Sequence, residues 1–168
     1  GLRGLTFDYP EQVTSSLPTV TKYPYCIQVT GKDAYIVNVG VRAAYNGVDL
    51  FTYKCDNHYV DYLAGHVFMN AIRIGGGSEG GRVCNMQFNS IVYACGSETK
   101  FGSWPNSLAA DQNKAYKQNQ NELRFITVGD CRNQILYNDF HYGGFEGIVF
   151  QADGGKAASG RSLGLGID

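Results

Sequence analysis

Segments of this chain superpose on one another at a step of about two dozen residues. A repeat of that size restricts it to stacked units that cannot bury their faces alone. Asn46-Gly47-Val48-Asp49-Leu50 lies over Asn70-Ala71-Ile72-Arg73-Ile74, a shift of 70 − 46 = 24. Upstream, Tyr35-Ile36-Val37-Asn38-Val39 aligns with His58-Tyr59-Val60-Asp61-Tyr62 (58 − 35 = 23) and with Arg82-Val83-Cys84-Asn85-Met86 (82 − 58 = 24). A more distant copy reads Asn133-Gln134-Ile135-Leu136-Tyr137-Asn138 and is followed by Gly147-Ile148-Val149-Phe150.

The units read as strands. Ile36, Asn38 and Gly40 alternate with Val37, Val39 and Val41, the period of two that a half-buried strand requires. Further β-rich runs span 27–30, 48–52, 59–63, 71–74, 83–88, 91–94, 123–128 and 134–137. Helical spacing is not sustained between Cys26 and Cys95. Each unit thus holds two or three strands of about three to six residues, with Asn at equivalent corners. In stacked coils, equivalent positions lie one above another at about 4.8 Å, which favours like residues in each column. A hairpin sandwich would also space its strands regularly, but it would not match Asn46 to Asn70 and Val48 to Ile72. The expected fold is therefore all-β, a right-handed parallel β-helix of roughly 23–24-residue coils.

This β-helix is expected over residues 26–168, behind an irregular lead-in at 1–25 that carries Pro10, Pro18 and Pro24. A long loop insertion at about 97–120 breaks the repeat, with Ser107 placed to cap a short helix. No capping unit is evident at either end, so a fragment of a longer β-helix is expected, with the remainder of that chain as a neighbour.

A formal net charge of −1 with 17% charged residues leaves no basic footprint, which argues against a nucleic-acid partner. No run of about 18 apolar residues is present, so no membrane span is expected. Five cysteines (Cys26, Cys55, Cys84, Cys95, Cys131) show no CxxC spacing and read as small buried residues, with disulfides left open and unassigned. His66 and His141 have no neighbour at metal-ligand spacing, so neither a metal nor another cofactor is expected. Twelve tyrosines suit strand faces or the edge of a sugar site.

The densest polar cluster runs from Asp49 through Lys54, Asp56, Asn57 and His58 to Asp61. Asp49 and Asp56 stand where the next coil is expected to carry Arg73 and Gly80. Across a corner both carboxylates can face one groove, and two carboxyl groups flanking a glycosidic bond are what its hydrolysis needs. Arg73 above Asp49 would hold that carboxylate ionised. Either acid taken alone reads better as a solvated or turn-capping residue, and His58 reads as a general acid, a base orienter or a polar turn residue. The run Gly75-Gly76-Gly77-Ser78-Glu79-Gly80-Gly81 leads into a strand rather than a helix, so it is no phosphate loop. It reads as a tight corner displaying Glu79, a reserve second carboxylate. Asp139 and Glu146 form a further acidic pair in sequence. Tyr53, Tyr59, Phe101, Trp104 and Tyr142 are the aromatics available to stack on sugar rings.

The stretch Asn46-Gly47-Val48-Asp49-Leu50-Phe51-Thr52-Tyr53-Lys54-Cys55-Asp56-Asn57-His58-Tyr59-Val60 resembles right-handed parallel β-helix glycoside hydrolases of the pectate-lyase-like superfamily. Its two aspartates seven apart are similar to the catalytic pair of the lacto-N-biosidases of glycoside hydrolase family 136. The resemblance implies Asp49 as general acid/base and Asp56 as nucleophile, acting with retention on an oligosaccharide or polysaccharide. His58, Arg73, Glu79, Trp104 and Tyr53 are the expected substrate-binding residues, and an extracellular or cell-surface location goes with this reading. Two other functions stay open: a non-catalytic glycan-binding, adhesion or stalk module, and a polysaccharide lyase with Lys54 or Arg73 as base.

Overall fold

A computed structural model describes residues 1–9, 12, 20–89 and 121–168. The described strands, in chain order, are β1 (Leu2–Arg3), β2 (Thr6–Asp8), β3 (Tyr25–Gln28), β4 (Tyr35–Leu50), β5 (Tyr59–Ile74), β6 (Ser78–Glu79), β7 (Arg82–Cys84), β8 (Gln87–Asn89), β9 (Arg124–Val128), β10 (Cys131–Arg132), β11 (Gln134–Tyr137), β12 (Phe140–Tyr142), β13 (Glu146–Phe150), β14 (Gly160–Leu163) and β15 (Gly166–Ile167). The fold is all-β. All of these strands pair in parallel, and β5 is central, with β4 on one side and β7, β8 and β9 on the other.

Each pass of the chain lies in register on the previous one. Ile36, Val60, Val83 and Leu136 form one inward column, and Ile27, Val48, Ile72 and Ile126 form another. All eight are buried. Full burial of such a side chain contributes about 1.5–3 kcal/mol, so the apolar alternation read in the sequence accounts for the core.

Corners carry the asparagines. Gly4, Asn38, Tyr62, Asn85, Asn138 and Gly164 all adopt positive φ, between 53° and 66°. Each follows a paired outward position: Arg3, Val37, Asp61, Cys84, Tyr137 and Leu163. A second left-handed corner holds Asp33, Asn57, Gly80 and Asn133. Glycine adopts this backbone freely, and Asn and Asp tolerate it, which is why these residues recur at the repeat interval. A third site uses amide ladders instead. Asn70 Nδ2 donates to Asn46 Oδ1 at 3.0 Å, and Asn46 Nδ2 donates to the Tyr23 carbonyl at 3.4 Å.

Four expectations change. The Asn46–Asn70 and Val48–Ile72 matches hold, but Tyr35 pairs with Tyr59 rather than His58, and Tyr59 pairs with Arg82. The middle copy was one residue out, because alternation fixes which face a residue takes and not where the corner inserts a residue. Strands of three to six residues were expected, yet β4 and β5 each run for 16. Left-handed residues and register shifts near Ala44 bend these strands without breaking their ladder. Pairing also starts earlier than residue 26, since β1 and β2 join β4. The fourth change is at the acidic corner: the left-handed Asn57 lies beside Gly80, with the Asn57 N–H donating to the Glu79 carbonyl. Asp56 therefore stands over Glu79 instead of Gly80. The expected strand at 91–94 and the insertion at 97–120, with its helix start at Ser107, lie outside the described residues.

Candidate functional site

Asp49 is the outward residue between the inward Val48 and Leu50, yet only 1% of its surface is exposed. Its own turn covers it. The N–H groups of Phe51 and Thr52 donate to Oδ1 at 2.9 and 3.0 Å, while the Thr52 hydroxyl and the Gln28 amide donate to Oδ2 at 2.6 and 2.9 Å. Burial pushes the carboxyl pKa up, but these four hydrogen bonds outweigh it and the net shift is downward. Asp49 thus caps its own turn with a carboxylate that reaches almost no solvent.

Arg73 is the direct register partner of Asp49, as expected, but it does not pair with that carboxylate. Its guanidinium lies 4.2 Å from the centroid of the Phe51 ring and 5.6 Å from that of Tyr25, and Nη1 donates to the Tyr25 hydroxyl at 3.2 Å. Arg73 is therefore held by stacking against aromatic groups, and the hydrogen bonds within its turn and from Gln28 are what lower the Asp49 pKa.

Asp56 is half-exposed. Lys54 Nζ lies 2.9 Å from Oδ2, and the Glu79 N–H donates to Oδ1 at 2.9 Å. The hydrogen bond with Lys54 is the main cause that lowers its pKa. Glu79 is exposed one pass along, with Asn133 Nδ2 donating to Oε1 at 3.4 Å. The structure thus brings Asp56 and Glu79 side by side on an open corner, a pairing that the one-residue slip had concealed.

His58 is 1% exposed, its Nδ1 is 2.7 Å from the Cys55 carbonyl oxygen, and burial lowers its pKa. Gly81 closes over the ring, and a Cβ there would run into it. His58, expected to bind substrate, thus sits as a buried corner residue. Tyr53 is exposed; Trp104 and Phe101 lie outside the described residues. Asp139 and Glu146 do not form a pair. Asp139 points into the core in register with Met86, whereas Glu146 is ion-paired with Arg124. Burial raises Asp139 to about 7 and lowers the nearby His141, stacked on Phe125, to about 4. Among the described residues no three His, Cys, Asp or Glu side chains gather as metal ligands. Cys26, Cys55, Cys84 and Cys131 are free thiols, with Cys55 and Cys131 fully buried.

Tyr59 is one of the aromatics expected to stack on sugar rings, whereas its partner Tyr35 and the nearby Tyr62 carry no such expectation. Tyr35 and Tyr59 are register partners on successive passes, exposed by 47% and 38%. Tyr62 takes a left-handed φ of 55°, which costs a bulky residue about 1–2 kcal/mol. It lines a surface groove together with Gly40, Ala64 and Gly65. Outward alternation marks such tyrosines as surface residues, but only the corner geometry separates Tyr62 from the rest. Compared with known proteins, the chain matches no family model, no curated protein and no solved structure.

Proposed function

We propose that this chain is a right-handed parallel β-helix that binds glycan along its outer face and does not cleave it at Asp49. The parallel register, the like residues in each column and the repeated left-handed corners support the β-helix. One contrast carries the functional reading: the sealed Asp49 carboxylate against tyrosines left exposed on successive passes. A tyrosine ring presents an apolar face to the C–H face of a sugar and a hydroxyl to its oxygens. Parallel stacking repeats such contacts at about the strand spacing. An extracellular or cell-surface setting fits this activity.

The test is a panel of soluble oligosaccharides and polysaccharides incubated with the purified chain. Retention of at least one glycan with no new reducing ends and no unsaturated product is expected. Release of any product would overturn the non-catalytic reading, and retention of no glycan would overturn the binding one.

A second reading rests on the juxtaposition of Asp56 and Glu79. Neighbouring passes lie about 4.8 Å apart, close to the 5–5.5 Å carboxyl separation of retaining glycosidases. The resemblance to lacto-N-biosidases then survives only through Asp56 as nucleophile, with Glu79 taking the part first given to Asp49. Hydrolysis abolished by either Asp56→Asn or Glu79→Gln, with the fold intact by circular dichroism, would establish it. No observation favours a lyase, since Lys54 is bound to Asp56 and Arg73 is stacked on Phe51 and Tyr25.

A further inference from the structure

One sheet of the stack turns an aromatic and cationic face to solvent. On it, Tyr35, Tyr59, Arg82, Ile135 and Arg161 are register partners in one outward column. Arg3, Val37, Asp61, Cys84, Tyr137 and Leu163 are register partners in the other. The second column spans six passes, about 24 Å at the strand spacing. Tyr35, Tyr59, Tyr137 and Leu163 are exposed along it, and so are the three arginines.

The charge of this face is unbalanced. Its only carboxylate, Asp61, accepts hydrogen bonds from the Tyr59 hydroxyl at 3.0 Å and from Asn85 Nδ2 at 2.7 Å. None of Arg3, Arg82 and Arg161 forms an ion pair among the described residues. The acids Asp33, Asp56 and Glu79 belong to the preceding corner, where Lys54 pairs with Asp56. Three guanidinium groups against one aspartate, in a chain of formal net charge −1, make a local positive surplus. Arg82 and Arg161 share a column with Ile135 between them, so they repeat at two passes, or about 9.6 Å.

A peptide recognised through its main chain needs a free strand edge, and this is the face of a sheet whose backbone groups are taken up by the ladder. A neutral glycan would engage the tyrosines and leave the guanidinium groups unused. The guanidinium fork matches a carboxylate, and a tyrosine ring offers an apolar face to a sugar. We infer that this face docks a carboxylate-bearing polysaccharide lying along the stack, with acid groups on Arg82 and Arg161 and sugar rings against the exposed tyrosines. The inference rests on the glycan-binding reading and names the class of glycan.

The experiment measures retention of the purified chain on immobilised hyaluronan, alginate and neutral dextran, with poly-glutamate and a single-stranded oligonucleotide as other polyanions. At least one of the two acidic polysaccharides is expected to bind at least tenfold more tightly than dextran, and to release the chain as salt screens the charges. Replacing both Arg82→Gln and Arg161→Gln should weaken that binding at least tenfold. Arg132→Gln, which removes an exposed arginine from a different strand column, should leave it unchanged. Acidic binding that the double variant leaves intact overturns the docking face and spares the glycan reading. Dextran retained as well as the acidic chains overturns the acidic class alone. Poly-glutamate or the oligonucleotide retained as tightly as the polysaccharides would make this a general anion surface and overturn the inference. If neither acidic polysaccharide is retained, the inference falls alone when another glycan of the larger panel binds, and with the glycan reading when none does.

Discussion

Asp49 and Tyr62 both depart from the residues stacked next to them, and in opposite ways. Asp49 is a charge in a position that looks outward, yet every oxygen is engaged and almost none of its surface reaches solvent. Tyr62 is an aromatic residue at a corner that disfavours it, and it is exposed. The acid stabilises its turn, whereas the tyrosine strains its corner. In a repeat, an irregular residue that the fold uses fully is explained by the fold; one that the fold tolerates at a cost invites a functional reason.

The largest expected effect that bears on this contrast is Asp49→Ala. It leaves the Phe51 and Thr52 N–H groups without their buried acceptor and should cost about 3 kcal/mol in urea unfolding. An effect below about 1 kcal/mol would mean that the turn holds without its cap, reopening a catalytic role for Asp49. A smaller effect, with a sign of its own, comes from pH. The lowered pKa of Asp49 contributes stability above its unfolded value of 3.8, and that contribution disappears as pH falls through the folded value. Asp139, raised to about 7, behaves oppositely, and its contribution is lost as pH rises from about 4 through 7. Wild type minus Asp49→Asn stability should therefore shrink below pH 4. Wild type minus Asp139→Asn should shrink between pH 4 and 7. Parallel profiles for the two variants would refute the contrast between an ionised cap and a buried neutral acid. The smallest effect is Tyr62→Asn, which should raise stability by about 1 kcal/mol by relieving the corner. A loss of stability there would make Tyr62 a packing residue after all.

Much of the architecture is legible in the chain itself. Like residues stack in register, so the Asn46–Asn70 and Val48–Ile72 matches appear as a repeat. Left-handed corners admit few residue types, so Asn38, Asn85 and Asn138 appear at equivalent places. The register of the middle copy was less legible, since one residue inserted at a corner changes no local pattern. That slip hid the partnership of Asp56 with Glu79. The functional residues were the least legible. Alternation shows that Asp49 points away from the core, and it is silent on what covers the outside.

The sequence by itself determined strands, their alternation, the repeat interval and the residues that turn the corners. All of these follow from neighbours along the chain or from columns of like residues. Only the tertiary structure decided that Thr52, Gln28 and two backbone amides enclose Asp49, that Arg73 turns to Phe51 and Tyr25, and that Tyr62 takes a left-handed corner and is exposed there. Those outcomes depend on groups brought together from different passes. Burial and hydrogen bonding are summed over everything that surrounds a side chain in space, and adjacency in sequence supplies only part of that sum.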